Sequence, residues 1–413
     1  MEVFIIGGGA SGIVAAIFAA RAGKKVTILE ANDRFGKKLL LTGNGRCNYF
    51  NEDLSISHFH SQKKEFLSQL IKEETLKEVL SFFEEIGIVP KIKNGYYYPY
   101  SNQATSIREA LLVEAEKQGV RILTEEKVRE IRKKQTFEIF TETHQYQADI
   151  VVLATGSKAY PKTGSTGDGY TFAKSFGHSI VPVLPSLVPL VGEERYFSLW
   201  NGIRSDVKLT LFENEKKIAE EFGEIQLTNY GISGICVFNL SGYVAKGLKD
   251  GKKERIEINF MPWISSLKEA FSWMEDRSKK LKGRTIEQLF EGFLNYKLIF
   301  LFCKLAPISK DLLWENLSNT QKETLISMLF SFSFDVKDTK SYEQSQVCSG
   351  GVPLSEVKIP SLESKLVQGL YFTGELLDVD GDCGGYNLSF AWLSGLLAGK
   401  DIGRYDTNKT SKN

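Results

Sequence analysis

One short segment near the N-terminus, Gly7-Gly8-Gly9-Ala10-Ser11-Gly12, constrains this chain most, because of what stands on either side of it. Val3-Phe4-Ile5-Ile6 is an apolar run of the kind found in buried strands, and Ser11 to Ala22 is an alanine-rich stretch of helical texture. Lys25-Val26-Thr27-Ile28-Leu29 reads as a second strand, with Glu30 and Ala31 at its end. Strand, glycine turn, helix and strand make a βαβ unit in which each glycine has its own duty. Gly7 permits the tight turn, Gly9 lets backbone approach a pyrophosphate, and Gly12 lets helix and strand pack closely. The N-terminus of the helix, at Ala10 and Ser11, offers N–H groups and a favourable dipole to phosphate. Glu30 is placed to accept hydrogen bonds from an adenosine ribose. The unit predicts dinucleotide binding.

A chain of 413 residues is too long for one typical core, so two or three domains are expected. Its 52 basic and 51 acidic side chains nearly cancel, which gives no electrostatic reason to expect a nucleic-acid partner. The apolar N-terminus lacks a positive leader and contains Glu2, and no stretch is long and apolar enough to span a membrane. The cysteines, Cys47, Cys236, Cys303, Cys348 and Cys383, show no C-x-x-C spacing, and the histidines form no ligand pair. Neither a disulfide framework nor a metal is expected, and a reducing cytoplasmic location fits this pattern.

After Glu30 the segment Gly36 to Asn48 alternates glycine with cations and asparagine. Lys37, Lys38, Gly43, Gly45, Arg46, Cys47 and Asn48 are therefore expected to fold closely around a charged ligand. Residues 62–87 read as amphipathic and helical, Tyr96 to Tyr100 as a half-buried strand, Ser101 to Gln118 as a helix and Val120 to Leu123 as a strand. Val128 opens a hairpin-like stretch that leads to the apolar strand Ile150-Val151-Val152-Leu153. Ala154-Thr155-Gly156 follows directly, and small residues at a strand end let backbone pass close beneath a dinucleotide. With Val128 and the first glycine turn, this marks an FAD domain and not an ordinary NAD domain.

Beyond about Leu187 the texture changes. Ile203 to Phe212, Lys217 to Phe222, Ile225 to Thr228 and Ile256 to Phe260 read as strands, and Ser265 to Phe330 as helices, with Ile299 to Phe302 in a buried one. The expected division is 1–186 for the first part of the FAD domain, 187–264 for a β-rich insert, 265–335 for a helical subdomain, and 336–413 for the return. The fold class is α/β, a Rossmann-like, glutathione-reductase-like FAD domain interrupted by an insert.

The return carries the second half of the site. Leu370 to Thr373 is a last strand, Gly374-Glu375 stands at its end, and Gly384-Gly385-Tyr386-Asn387-Leu388 opens a helix running to Leu397. That helix end, directed at the pyrimidine edge of an isoalloxazine, would stabilise the negative charge of a reduced flavin. Glu375, Asp378 and Asp380 are candidate partners for ribityl hydroxyls.

The phrases LLLTGNGRCN, YPKTGSTGDGY, SLVPL, LTNYGISG, CSGGVPLSEV and GLYFTGELLDVDGDCGGYNLSFAWLSG occur in order along the chain. This succession resembles the signatures of the bacterial flavoprotein family of BaiN/YhiN-like proteins and aminoacetone oxidase family FAD-binding enzymes. The resemblance implies a three-domain flavoprotein holding FAD non-covalently. Phe50, Tyr96, Ser157, Ala159 and Cys348 depart from the family pattern, which bears on the substrate and not on the FAD frame.

In such a protein the flavin carries the reaction. No second glycine fingerprint with flanking strand, helix and distal acid occurs, so NAD(P)H, if it is the donor, binds transiently without a Rossmann domain of its own. Three activities remain open: NAD(P)H-linked reduction of an activated carbon–carbon double bond in a small substrate, oxidation of a small amine such as aminoacetone with release of peroxide, and a non-enzymatic flavin-bound sensor or partner-binding role. The closed flavin site favours an enzyme. No catalytic acid or base is assigned; Tyr98 and Tyr386 are candidate proton donors, and Cys47 with Cys383 a candidate dithiol. The sequence leaves the oligomeric state open.

Overall fold

A computed structural model describes residues 1–405 and divides the chain into two compact units, Met1–Leu184 with the segment from Gln346 onward, and Pro185–Ser345. The first unit is built on a five-stranded sheet in the order Leu370–Phe372, Ile150–Leu153, Glu2–Ile6, Lys25–Leu29, Arg121–Leu123. All neighbours run parallel, with Val3 opposite Val26 and Ile150, and Val152 opposite Tyr371. Parallel strands covered by structure on both faces need apolar side chains at every position, which is why Ile150–Leu153 is fully buried and unalternated.

The strand order fixes where a ligand can sit. From Glu2–Ile6 the chain moves outward through Lys25–Leu29 to Arg121–Leu123, then returns to the opposite side of the first strand. The order therefore reverses between Glu2–Ile6 and Ile150–Leu153, and a crevice opens at the carboxyl ends of those two strands. Gly7 and Ala154-Thr155-Gly156 stand at these ends.

Two helices meet behind that crevice. Ala10–Arg21 leaves the glycine turn, and Tyr386–Arg404 closes the described chain. Gly395, Gly399 and Gly403 recur every four residues, so they share one face of the closing helix. A Cβ at Gly395 would lie 2.4 Å from the Ser11 carbonyl oxygen, one at Gly399 2.7 Å from that of Ala15, and one at Gly403 2.6 Å from the Ala22 Cβ. The helices thus touch backbone to backbone. The buried Trp392 indole donates to the Tyr49 carbonyl oxygen at 3.0 Å and ties the same helix to the Gly36–Asn48 loop region.

Local elements of the first unit refine the sequence expectation in two places. The amphipathic stretch 62–87 forms two helices, Lys64–Leu70 and Glu73–Glu85, because Ile71 leaves helical geometry and turns into the core. The stretch opened by Val128 is a three-stranded antiparallel meander, Val128–Lys133, Phe137–Thr141 and Gln145–Ala148.

The second unit is an antiparallel seven-stranded sheet in the order Phe332–Val336, Glu254–Asn259, Arg204–Glu213, Lys216–Thr228, Gly231–Ser233, Leu190–Val191, Asp338–Thr339. The strands expected at Lys217–Phe222 and Ile225–Thr228 are one 13-residue strand. The expected β-rich insert and helical subdomain share a core, in which Leu209, Leu211, Ile256 and Ile258 join Leu298, Phe302, Leu325 and Leu329. The helices lie between two strands that pair with each other, Ile256 opposite Phe334, so they are one long connection within the unit. No helix among the described residues is long and apolar enough to cross a membrane.

Replacing Gly395 by alanine should destabilise the first unit by about 1–3 kcal/mol, despite alanine's better helix propensity, because the new methyl meets the Ser11 carbonyl. Urea unfolding of the full chain measures this.

Candidate functional site

The glycine turn is shaped by contacts that leave no room for side chains at two positions and an open position between them. Gly7 has φ +106°, and a Cβ there would lie 2.6 Å from the Ala154 carbonyl oxygen. At Gly12 it would lie 2.1 Å from the Gly7 carbonyl oxygen. Gly9 differs: its backbone is extended (φ −80°), and the nearest protein atom to its Cβ position is 4.0 Å away. Packing therefore accounts for Gly7 and Gly12 but not for Gly9, which stands at the N-cap of the first helix. No side chain caps that helix. An uncapped N-terminus beside an unfilled glycine suits a pyrophosphate.

Glu30 is buried and its carboxylate is already engaged. Oε2 accepts from the Gly8 N–H at 2.8 Å, and Oε1 from the Asn32 backbone N–H at 2.8 Å and side-chain Nδ2 at 2.7 Å. The acid thus braces the glycine turn while keeping lone pairs for a ribose. Ala31 beside it is exposed. Asn32, which also donates to the Thr163 carbonyl oxygen at 3.1 Å, is a residue the sequence reading missed.

The two ends of the chain meet at Ser11. The Thr373 hydroxyl donates to Ser11 Oγ at 3.0 Å, and the Gly374 N–H to Ser394 Oγ at 2.9 Å. Glu375 then reaches across to the cationic loop: its Oε2 lies 2.8 Å from Lys38 Nζ and accepts from the Ser157 hydroxyl at 2.8 Å. This ion pair fastens the loop after the second strand to the end of the last one. Its members were named separately from the sequence; their partnership was not.

The Gly36–Asn48 loop has the tight backbone expected of it, with positive φ at Gly43, Asn44, Gly45 and Cys47. Its side chains serve several ends. Lys37 pairs with Asp33 at 3.9 Å, and Arg46 lies over the Tyr98 ring at 5.5 Å. Cys47 is fully buried, and burial pushes its thiol up to about 12, so it stays protonated and unreactive at neutral pH. Asn48 Oδ1 and Thr155 Oγ1 are buried polar atoms without a partner among the described residues, one in this loop and one in the Ala154-Thr155-Gly156 turn. Orphaned buried polar atoms are uncommon, and at these two turns a ligand would supply the missing bond.

The remaining candidates brace the closing helix. Asp378 Oδ2 accepts from the Gln62 N–H at 3.0 Å, and Asp380–Gly381 pairs with Phe59–His60. Asn387 Oδ1 accepts from the Gly381 N–H at 2.9 Å while its Nδ2 donates to the Gly381 carbonyl at 2.7 Å. Gly384 accepts at its carbonyl from Asn51 Nδ2 at 2.7 Å, and Gly385, at φ +97°, would place a Cβ 2.7 Å from the Phe50 carbonyl. Tyr386 begins the helix with no side-chain cap before it, and Leu388 is half-buried in the first turn. Val128 is buried at the start of the meander, just beyond the segment where the Glu126 N–H meets the Glu30 carbonyl.

The residues present therefore fit FAD: an open glycine, two uncapped helix starts and two orphaned buried polar atoms. Changing Gly9 to alanine should leave the unfolding midpoint nearly unchanged, since no atom of the described residues opposes the methyl, yet weaken FAD binding more than about tenfold. Gly7 to alanine should instead lower stability. Fluorescence titration with FAD and thermal melting separate the two effects.

Residues 1–401 match the family described as HI0933-like protein Rossmann domain. A 3-dehydro-bile acid delta(4,6)-reductase of Clostridium scindens is 41% identical over 404 residues, covering 97% of this chain and 98% of that protein. A ribosomal RNA dihydrouridine synthase of Haemophilus influenzae is 29% identical with 98% of each chain covered, and one of Escherichia coli is 26% identical with 97% and 98% covered. The chain belongs to this HI0933-like Rossmann family of BaiN/YhiN-like flavoproteins, and it is an FAD-dependent oxidoreductase.

Proposed function

We propose that the chain reduces a carbon–carbon double bond conjugated to a carbonyl in a small organic substrate, with NAD(P)H as the electron source. The observation that carries this reading is the 41% identity, over nearly the whole of both chains, to a protein named as a delta(4,6)-reductase. The more distant relatives are named for forming dihydrouridine, which also saturates a double bond next to a carbonyl. The relatives differ in the size and charge of what they act on, so bond type is what they share. The small-molecule reading rests on the higher identity to the bile acid reductase, 41% against 29%.

Bound FAD supplies hydride transfer; the chain's residues supply the setting. The uncapped first turn at Tyr386 offers N–H groups and a positive dipole end to developing negative charge. Lys38 and Glu375 hold the loop and last strand together with their charges paired. Saturation of the double bond also needs a proton. Tyr386 is one candidate source: burial, with Asp53 and Asp382 nearby, raises its phenol well above the usual tyrosine value and keeps it protonated. Tyr98, half-buried under Arg46, is the other phenol placed near the loop.

Anaerobic mixing of the flavin-loaded protein with NADH or NADPH should bleach the flavin absorbance, and an added conjugated enone should restore it with one equivalent consumed per flavin. Bleaching by aminoacetone but by neither nucleotide, with peroxide formed in air, would replace this reading with the amine oxidase one.

A further inference from the structure

We propose that His58 is a positioning residue for the flavin site, an imidazolium that clasps the 53–60 segment to the first turn of the closing helix, so that FAD binding weakens when the imidazolium is deprotonated. The inference rests on the flavin reading of that helix end.

The clasp is built on a weak joint. Phe59–His60 and Asp380–Gly381 pair as two-residue strands, too short to hold a loop by backbone bonds alone. Side chains complete the joint. His58 Nδ1 lies 2.9 Å from Asp382 Oδ2, His58 Nε2 lies 3.0 Å from Asp53 Oδ2, and His60 Nε2 lies 2.9 Å from the other Asp382 oxygen. The His58 ring stacks on Tyr386, with centroids 4.5 Å apart and planes 16° from parallel. Tyr386 is the first residue of the closing helix, and Asn387 sews the same helix turn to Gly381.

The protonation state follows from the partners. A carboxylate only accepts hydrogen bonds, and a neutral imidazole carries one N–H, so it can satisfy only one of two carboxylates. With Asp382 on one ring nitrogen and Asp53 on the other, both contacts are hydrogen bonds only in the imidazolium. A cation over the phenol face adds a favourable stack. The charged and titratable groups around it are Asp53 on its own loop, Asp382 and Asp380 on the turn before the helix, Tyr386 on the helix, and His60 with Lys64 beyond it. Burial lowers the His58 pKa, but the hydrogen bonds and charges of Asp382 and Asp53 outweigh it and the net direction is upward. A raised folded-state value means the clasp is intact below the ordinary histidine range and is lost as pH rises through the raised one, on the alkaline side.

The test is FAD affinity of the deflavinated full-length chain, followed by fluorescence between about pH 6 and about pH 9. Wild type should weaken by about three- to tenfold over the alkaline limb, the size expected of a half-exposed charge-assisted pair. Asp53→Asn should move the midpoint to lower pH. His58→Gln, which keeps a hydrogen-bonding side chain without the charge, should bind more weakly and lose that limb. Independently, long-range proton–nitrogen spectra near neutral pH should show a histidine signal protonated at both ring nitrogens that is missing in His58→Gln, whereas that of His60, whose value Asp382 also raises, remains. A flat wild-type profile, or one unchanged by His58→Gln, overturns the proposal, as does a neutral ring. Failure to bind FAD at any pH overturns the flavin reading, and the ring-nitrogen spectrum then decides the clasp on its own.

Discussion

Backbone packed against backbone is the constraint on which the first unit depends. Gly7 sits against the Ala154 carbonyl, Gly12 against the Gly7 carbonyl, and Gly395 and Gly399 against the carbonyls of Ser11 and Ala15. Each contact excludes a Cβ, and all but the one within the glycine turn join segments far apart in sequence. Together they lock the glycine turn, the return strand end and the closing helix into one rigid block around the switch point of the sheet. A cofactor cradle needs such rigidity, because donors that must meet a phosphate or a ring edge cannot afford to move by an ångström.

The legible parts of this arrangement were those governed by local pattern. The central strand Ile150–Leu153 reads directly as an apolar run, because burial on both faces leaves it no polar position to confuse the signal. The glycine turn was recognisable from its flanking strand and helix. Some of the site was visible only as separate residues: Lys38 and Glu375 were each named, but 337 positions of sequence separate a pair that is 2.8 Å apart. The roles of Asp378, Asp380 and Asn387 in bracing the loop and helix start were hidden for the same reason. One signal was present and unused, the four-residue spacing of Gly395, Gly399 and Gly403, which announces a close helix crossing before any partner is known.

In the second unit the texture of the sequence was a better guide to secondary structure than to division. Strands followed by helices read as two subdomains, since a long change of periodicity resembles a boundary. What decides otherwise is the strand that comes after the helices. Phe332–Val336 alternates buried and exposed residues over five positions and pairs with Glu254–Asn259, so the helical stretch is enclosed by two neighbouring strands and must pack on their sheet. A five-residue strand is easily overlooked beside 66 residues of helical texture, yet it sets the topology.

Electrostatics explains how a cradle with acids at two strand ends would accept an anionic dinucleotide. Glu30 and Glu375 stand at the ends of the second and last strands, where bare carboxylates would repel a pyrophosphate. Neither is bare: Glu30 takes the Gly8 N–H and both Asn32 donors, and Glu375 takes Lys38 and the Ser157 hydroxyl. Their charge is spread into the protein's own donors before any ligand arrives. The two helix starts, at Ala10 and Tyr386, are left without side-chain caps and keep their positive ends unspent. The fold thus satisfies its acids internally and leaves its helix dipoles unsatisfied, and that asymmetry, more than any single cation, makes the crevice attractive to negative charge.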